Sequence, residues 1–434
     1  MMRKFIALFL ALVLCLAMLG GCKTEPKPVE PTQEEITWWA FPTFAKVGDE
    51  VGKYERSVVA EFNKKYPNIK VNVEMIDFAT GPDKITNAIA AGTQPDIVFD
   101  APGRIIAWGS AGKLANFDEM FTAEYKKDIN NENLVKSCSN GKNYYMYPLS
   151  SAPFTMALNQ TLLEKEGLMD MINTKGDRTW TTDQFTALNA ALAKKGHKNS
   201  IIFCKSQGGD QGTRAFMTNL FGAHITNNDL TKYTMDSPEA IKAMKYVMDQ
   251  VKAGNLESGI AYDGGGAIEQ FVQGIVAGTI LWAPGNDLGN KAKLDAAGVK
   301  QIALPFPSDD GKPELEYLVN GFCIFDKKDA KRVENAKTFL KFICDDPVMG
   351  KQNVKQTNAF PVRSSFGDLY PGNENMAFYS SLTKYYGTYY NTIDGYAKMR
   401  PEWWQNLQAA MTGDKTAEKA MQDYNAKANA SIKG

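Results

Sequence analysis

Histidine is almost absent from this chain: His197 and His224 are the only two among 434 residues. A catalytic or zinc-binding centre built on several imidazoles is therefore excluded at the outset. His197 sits in a polar loop and reads as a solvated side chain, and His224 reads as structural. Net charge is missing as well, with 49 Lys and Arg against 49 Asp and Glu. Such a balance argues against nucleic acid or an anionic membrane surface as the main partner. Catalytic signatures are lacking: there is no H-E-x-x-H, no P-loop, no EF-hand loop and no G-x-S-x-G. Gly264-Gly265-Gly266 follows Asp263 without the dinucleotide-binding spacing and reads as a flexible turn before a helix. No pair of cysteines has C-x-x-C spacing, which removes zinc-ribbon and thioredoxin-like readings. Nothing calls for a cofactor or a metal, and the expectation is a protein that is not an enzyme. After residue 22 no stretch has the length and apolarity of a membrane-spanning helix.

The one long apolar run is at the start. Arg3 and Lys4 precede Phe5 to Leu19, and Gly20-Gly21-Cys22 follows. A positive segment, a short apolar segment and small residues make a secretory signal, and an ending in Leu-Gly-Gly-Cys looks like a bacterial lipobox, in which the cysteine receives lipid. Residues 1–21 are thus expected to be a lipoprotein signal peptide, Cys22 the lipidation site, and residues 22–35 a flexible tether rich in Pro and charge. The body would sit on the extracellular face of the cytoplasmic membrane, or in a periplasm. Cys138, Cys204, Cys323 and Cys344 remain in that body, either as free buried thiols or in one of three possible full pairings.

About 410 residues are left once the signal is removed, enough for two or more domains or lobes. Order is expected to start at Ile36-Thr37-Trp38-Trp39. Val51, Tyr54, Val58, Phe62 and Tyr66 recur at helical spacing, and Ile69, Val71, Val73 and Met75 alternate as in a strand. Pro82 opens a helix that Gly92 closes, and Asp96 to Phe99 form a short buried strand. The β-α-β-α-β order favours a parallel, doubly wound α/β sheet. Further on, Thr181 to Gln184 form a capping box, Ser237-Pro238-Glu239 starts another helix, and helices are expected from Asp329 to Cys344, Trp403 to Met411 and Ala417 to Ala428.

Two segments carry a family likeness. Gln94-Pro95-Asp96-Ile97-Val98-Phe99-Asp100-Ala101 with Arg104 and Gly112-Lys113-Leu114 resembles the "P-D-I-x-F-x-A…R…G-x-L" stretch of bacterial extracellular solute-binding proteins of the maltodextrin type. Tyr144 to Leu149, then Leu158-Asn159-Gln160 through Gly167-Leu168, resembles the family's "Y-x-x-P … Y-N-K-x-L-F-x-x-x-G-L" crossover, with Leu158 and Gln160 in place of Tyr and Lys. Weaker echoes follow in order at Trp180 to Phe185, Phe271 to Gly278, Asn320-Gly321-Phe322, Ala336 to Phe342 and Phe360 to Arg363. The resemblance implies a periplasmic-binding-protein-like fold: two doubly wound α/β lobes joined by a multi-segment hinge. The N-lobe would take residues 36–150 plus 320–360 and the C-lobe 151–319 plus 361–434. It implies a small-molecule ligand, a mono- or oligosaccharide, captured in the interlobe cleft by a monomer that presents its closed form to ABC permease subunits. A peptide, polyamine or osmolyte receptor is the alternative within the binding class, and a secreted glycan-active enzyme the alternative outside it.

Sugar recognition needs apolar faces against C–H groups and planar polar groups for paired hydroxyls. Trp39 and Phe41 are expected to face the cleft, because Trp38 and Trp39 point to opposite sides of a strand. Asp100 and Arg104 follow the third strand and can form bidentate bonds. The maltodextrin pattern has Trp at the Asp100 position and Asp at the Gly103 position, so the resemblance implies another saccharide. Trp282, with Asn286 nearby, ends a later strand, with core packing as the rival reading. Asp210 lies in a polar loop, Gln207 to Arg214; Trp403 and Trp404 stand about 100° apart on a helix, so one of the two is expected to line the cleft, with Trp404 as the candidate.

Overall fold

The computed structural model describes residues 34–432 apart from 49, 78, 79 and 130. The signal, Cys22 and the tether up to residue 33 lie outside the described residues. Glu34 and Glu35, assigned above to the tether, instead start the first strand. Their carboxylates meet lysines of neighbouring elements, Glu34 with Lys331 and Glu35 with Lys70.

Eleven strands form among the described residues: β1 Glu34–Ala40, β2 Ile69–Met75, β3 Ile97–Asp100, β4 Tyr147–Pro153, β5 Thr155–Asn159, β6 Ile201–Phe203, β7 Glu257–Gly259, β8 Gly278–Trp282, β9 Gln301–Leu304, β10 Tyr317–Ile324 and β11 Phe360–Pro361. The first sheet has the order β11-β4-β10-β3-β1-β2. Its β2-β1-β3 part is parallel, crossed by helices Lys53–Lys65 and Gly81–Ala91. β10, β4 and β11 then add antiparallel, so the sheet is mixed rather than wholly parallel. A three-stranded antiparallel sheet, β8-β5-β9, and a parallel pair, β6-β7, serve the second half.

Local chemistry accounts for the helix ends. Thr181 and Gln184 close a reciprocal capping box on helix Thr182–Lys194. Asp263, read above as part of a turn, accepts from Gly266 N at 2.8 Å and caps helix Gly264–Val272. Gly92 ends its helix at φ 72°, a left-handed conformation that costs glycine little.

Two apolar cores result. One gathers residues from Ile36 to Leu149 with Tyr317 to Val354, Tyr386 and Tyr389, and the other residues from Met156 to Leu315 with Phe360 and, those two tyrosines apart, Met376 to Ala428. After residue 359 the cores divide the chain differently from expectation. Val362, Phe366 and Leu369, assigned above to the C-lobe, pack into the first core, because Phe360 and Pro361 pair with Ser151 and Ser150 of β4 and carry the chain onward along that side. Chain passes between the cores at 153–155, at 315–317, around Phe360, between Leu369 and Met376, between Leu382 and Tyr386 and again at 389–390. All four cysteines of the body are free and buried. Burial pushes the Cys138 and Cys204 thiols up to about 12, which leaves them unreactive.

Candidate ligand-binding site between the two cores

Strands β1 and β3 end side by side, and a parallel sheet presents its carboxyl edge as the natural place for a ligand. Asp100 is the last residue of β3 and lies 7% exposed. Pro102 starts the helix Pro102–Ser110, and one turn later Arg104 folds back on Asp100. Its Nε donates to Oδ2 and its Nη2 to Oδ1, both at 2.6 Å. This fork-on-fork pairing keeps Arg104 charged against the cost of its burial. Beneath it lies the Phe41 ring, fully buried, with the guanidinium carbon 5.4 Å from the ring centroid.

The second core supplies the facing wall. Helix Tyr396–Thr412 places Tyr396, Arg400 and Trp404 four residues apart, which is one stripe of a helix, while Met399, Trp403 and Leu407 form the buried stripe. Tyr396 lies against the first-core helix: a Cβ built on Gly103 would stand 3.2 Å from its ring and 3.0 Å from the Asn391 carbonyl. Arg400 stands near enough to Arg104 for the two positive charges to act on each other. Arg400 is held by Asp210, with Nη2 to Oδ1 at 2.6 Å and Nε to Oδ2 at 3.1 Å, and it also donates to the Gln207 carbonyl. Asp210 accepts from Arg214 Nη1 as well, and both side chains of that pair are fully buried. Arg214 Nε donates to the Tyr390 oxygen at 2.6 Å, and the Tyr390 hydroxyl donates to Glu316 Oε1 at 2.6 Å. Burial alone would raise the Asp210 carboxyl; the two guanidiniums reverse this and hold it below the usual carboxylate range. Trp404 is half-buried, and its indole N–H has no partner among the described residues.

Two planar ion pairs, Asp100–Arg104 and Asp210–Arg400, are thus fixed one to each core, with Tyr396 of the second lying against the helix that carries Arg104. Each guanidinium uses Nε and Nη2 on its carboxylate, which leaves its Nη1 edge for another acceptor. Such an array can bond neutral polyhydroxyl groups and close over them, because each half rides on its own core.

Residues 46–349 match the family of bacterial extracellular solute-binding proteins. The chain belongs to this family. It is 24% identical over 364 residues to the arabinooligosaccharide-binding protein of Bacillus subtilis, an alignment covering 79% of this chain and 76% of that one. Among solved structures, an ABC transporter solute-binding protein from Thermotoga lettingae bound with α-D-tagatose superimposes with a TM-score of 0.73 at 20% identity, over 92% of this chain and all of that one. The GacH receptor of Streptomyces glaucescens, solved unliganded and with acarbose, gives 0.74 at 15% identity, over 92% and 99% of the two chains. The periplasmic-binding-protein-like α/β fold expected from the sequence is the fold these neighbours share.

In this solute-binding protein, Phe41, Asp100 and Arg104 lie together on the first core, Asp210 holds Arg400 on the second, and Trp404 shares the helix stripe of Arg400. Phe41 supports Arg104 from below and has no exposed face of its own. Asp210 and Arg214, read above as belonging to a solvated loop, open the helix Asp210–Leu220 and are among the most buried charges of the molecule. Three expected residues lie elsewhere. Trp39 is half-buried with its ring beneath Lys84, 4.5 Å from the centroid, so helix Gly81–Ala91 covers it. Trp282 is fully buried, edge-on to Phe271 at 5.3 Å, as the rival reading of core packing has it. Asn286 lies in the first turn of helix Pro284–Ala297, where its carbonyl accepts from Asn290 Nδ2 at 2.9 Å. Tyr396 and Arg400 were missed because the helix was expected to start at Trp403, after Pro401. It starts at Tyr396, with Pro401 in its interior. The four-residue spacing of Tyr396, Arg400 and Trp404 was the available signal.

Proposed function

We propose that this protein is the ligand-capturing component of a carbohydrate ABC importer, lipid-anchored at Cys22 and monomeric, with its cleft between the two cores. The observation that carries the reading is the pair of carboxylate–guanidinium forks, Asp100–Arg104 and Asp210–Arg400, one on each core. A saccharide presents vicinal hydroxyls in a plane, and two forks with fixed geometry can bond hydroxyls on both of its edges. Tyr396 and Trp404 offer flat surfaces for the apolar faces of the ring. Supporting this reading, the family is one of binding proteins, a Bacillus relative is named for arabinooligosaccharides, and the two solved neighbours carry α-D-tagatose and acarbose. Ligand bonded to both cores stabilises the closed arrangement, and that shape is what permease subunits would recognise. The chain works by binding and release and performs no chemistry on the ligand.

A thermal-shift panel of mono- and oligosaccharides, peptides and polyamines tests this, since a bound ligand raises stability by mass action. At least one saccharide is expected to raise Tm, with the shift lost in Arg104→Ala. Shifts confined to peptides or polyamines would overturn the carbohydrate assignment, and turnover of any oligosaccharide would overturn the receptor assignment. Cys22→Ser is expected to release the protein from membranes with its ligand affinity unchanged.

A further inference from the structure

A cavity of about 230 Å³ lies behind the Asp210–Arg400 fork, joined to it through Tyr390 and Arg214. Its walls are the end of helix Asp210–Leu220, the loop that follows it, the segment 308–316 leading into β10, and residues 387–390. Water occupies roughly 30 Å³ per molecule, so this is room for a small organic molecule rather than a single ion.

Four carboxylates line it, Asp309, Asp310, Glu314 and Glu316, with Lys312 and His224 as the basic residues. Glu314 and Glu316 are two apart on extended chain and so project to one side. Glu314 is fixed in place: its backbone N–H donates to Asn219 Oδ1 and its C=O accepts from Asn219 Nδ2, both at 2.8 Å. Oε1 accepts from Thr388 N at 3.1 Å, and Oε2 stands 3.4 Å from His224 Nδ1. A Cβ at position 387 would come within 2.2 Å of the Glu314 side chain, so glycine there is what lets the carboxylate lie along the wall. Glu316 accepts one bond, from the Tyr390 hydroxyl, and no Lys, Arg or His among the described residues pairs with it directly. Burial pushes its carboxyl up to about 7, since the Arg214 charge opposes the shift only from behind Tyr390 and no cation touches the carboxylate itself.

A second, independent observation points to an occupant. Ser308 lines the cavity, is 3% exposed, and its hydroxyl has no partner among the described residues. A buried hydroxyl without a partner costs free energy that a bound polar group recovers. No three His, Cys, Asp or Glu side chains among the described residues are grouped so as to hold a metal ion, so the donors suit a molecule with separated polar ends.

We propose that this cavity is an accessory site for a small organic ammonium, with its nitrogen between Glu314 and Glu316 and its other polar end on Ser308. The ammonium supplies the cation that Glu316 lacks, and its hydroxyl or second amine completes Ser308.

Isothermal titration of the full chain with ethanolammonium, against ethylene glycol as the uncharged analogue, tests the assignment. Saturable one-to-one binding of ethanolammonium at about 1 mM or tighter is expected, with no saturable heat from ethylene glycol. Glu316→Gln keeps an acceptor for Tyr390 and is expected to weaken binding about tenfold or more; Ser308→Ala, which only removes a hydroxyl, weakens it a few-fold. Absence of saturable ethanolammonium binding overturns the proposal. So does equal binding of ethylene glycol, or unchanged affinity in both variants. Loss of the signal in Arg104→Ala would place the ammonium in the interlobe cleft and overturn it equally.

Discussion

Asp210 and Asp100 carry the same kind of fork but differ in what their removal leaves behind. Asp210 neutralises two arginines, and the side chain of Arg214 is wholly buried. Asp210→Ala leaves that charge with tyrosine oxygens but no paired carboxylate, which costs about 3–5 kcal/mol. Asp100→Ala releases Arg104, whose side chain is 35% exposed and can turn to water, for no more than about 2 kcal/mol. Urea unfolding of the two variants is expected to show that gap, with ligand affinity reduced in both; equal losses would mean that Arg214 finds another partner. The sign with pH follows from the depressed carboxyl of Asp210. Its contribution is present above the unfolded value near 3.8 and disappears as pH falls through the lower folded value, so the Asp210→Ala chain should have a flatter acid limb than wild type. How far the sequence disclosed such residues depended on their backbone. Asp100 and Arg104 were legible because a short apolar strand and a proline placed them. Asp210 and Arg214 were hidden by Gly208 and Gly209, which suggested a loop, although Ala215, Phe216, Met217 and Leu220 continue as an apolar helical run.

The Gly-rich segments that looked like flexible turns act as close-packing points between elements. Gly264 opens a helix against the loop that delivers Asp210; a Cβ there would stand 2.7 Å from Leu281, 2.8 Å from the Gly208 carbonyl and 3.0 Å from Gly209 Cα. Gly265, one residue on, would make only an ordinary 3.6 Å contact. Gly264→Ala should therefore cost about 1–3 kcal/mol and weaken ligand binding by displacing Asp210. Gly265→Ala should be neutral or stabilising by up to about 1 kcal/mol, since it removes backbone freedom from the unfolded chain. Denaturation midpoints and one ligand titration per variant separate the two. Equal effects would return the segment to a flexible turn. Elements with strong local signals were read correctly: the capping box at Thr181, the helix from Pro82, and the alternation of Ile69 to Met75. The mixed character of the first sheet was not readable, because β10 and β11 join it from more than 150 residues away and their pairing leaves no local pattern.

At the scale of the molecule, the two cores touch where Gly103 meets Asn391 and Tyr396. A side chain at 103 would fill the contact without entering either core. Gly103→Leu should even favour its own helix by up to about 1 kcal/mol, so the stability of the fold is expected to hold. The cores would instead be wedged apart at the segments that join them, among them 153–155, 315–317, 369–376, 382–386 and, next to Asn391 itself, 389–390. A ligand that binds only the closed arrangement then loses affinity in proportion to the closed population; a tenfold loss corresponds to a shift of about 1.4 kcal/mol. Solution scattering of Gly103→Leu with saturating ligand is expected to show a larger radius of gyration than wild type under the same conditions, with the urea midpoint unchanged. Lower affinity together with a lower urea midpoint and an unaltered radius would mean that Gly103 serves the packing of its own core, and that the closing motion turns on some other contact.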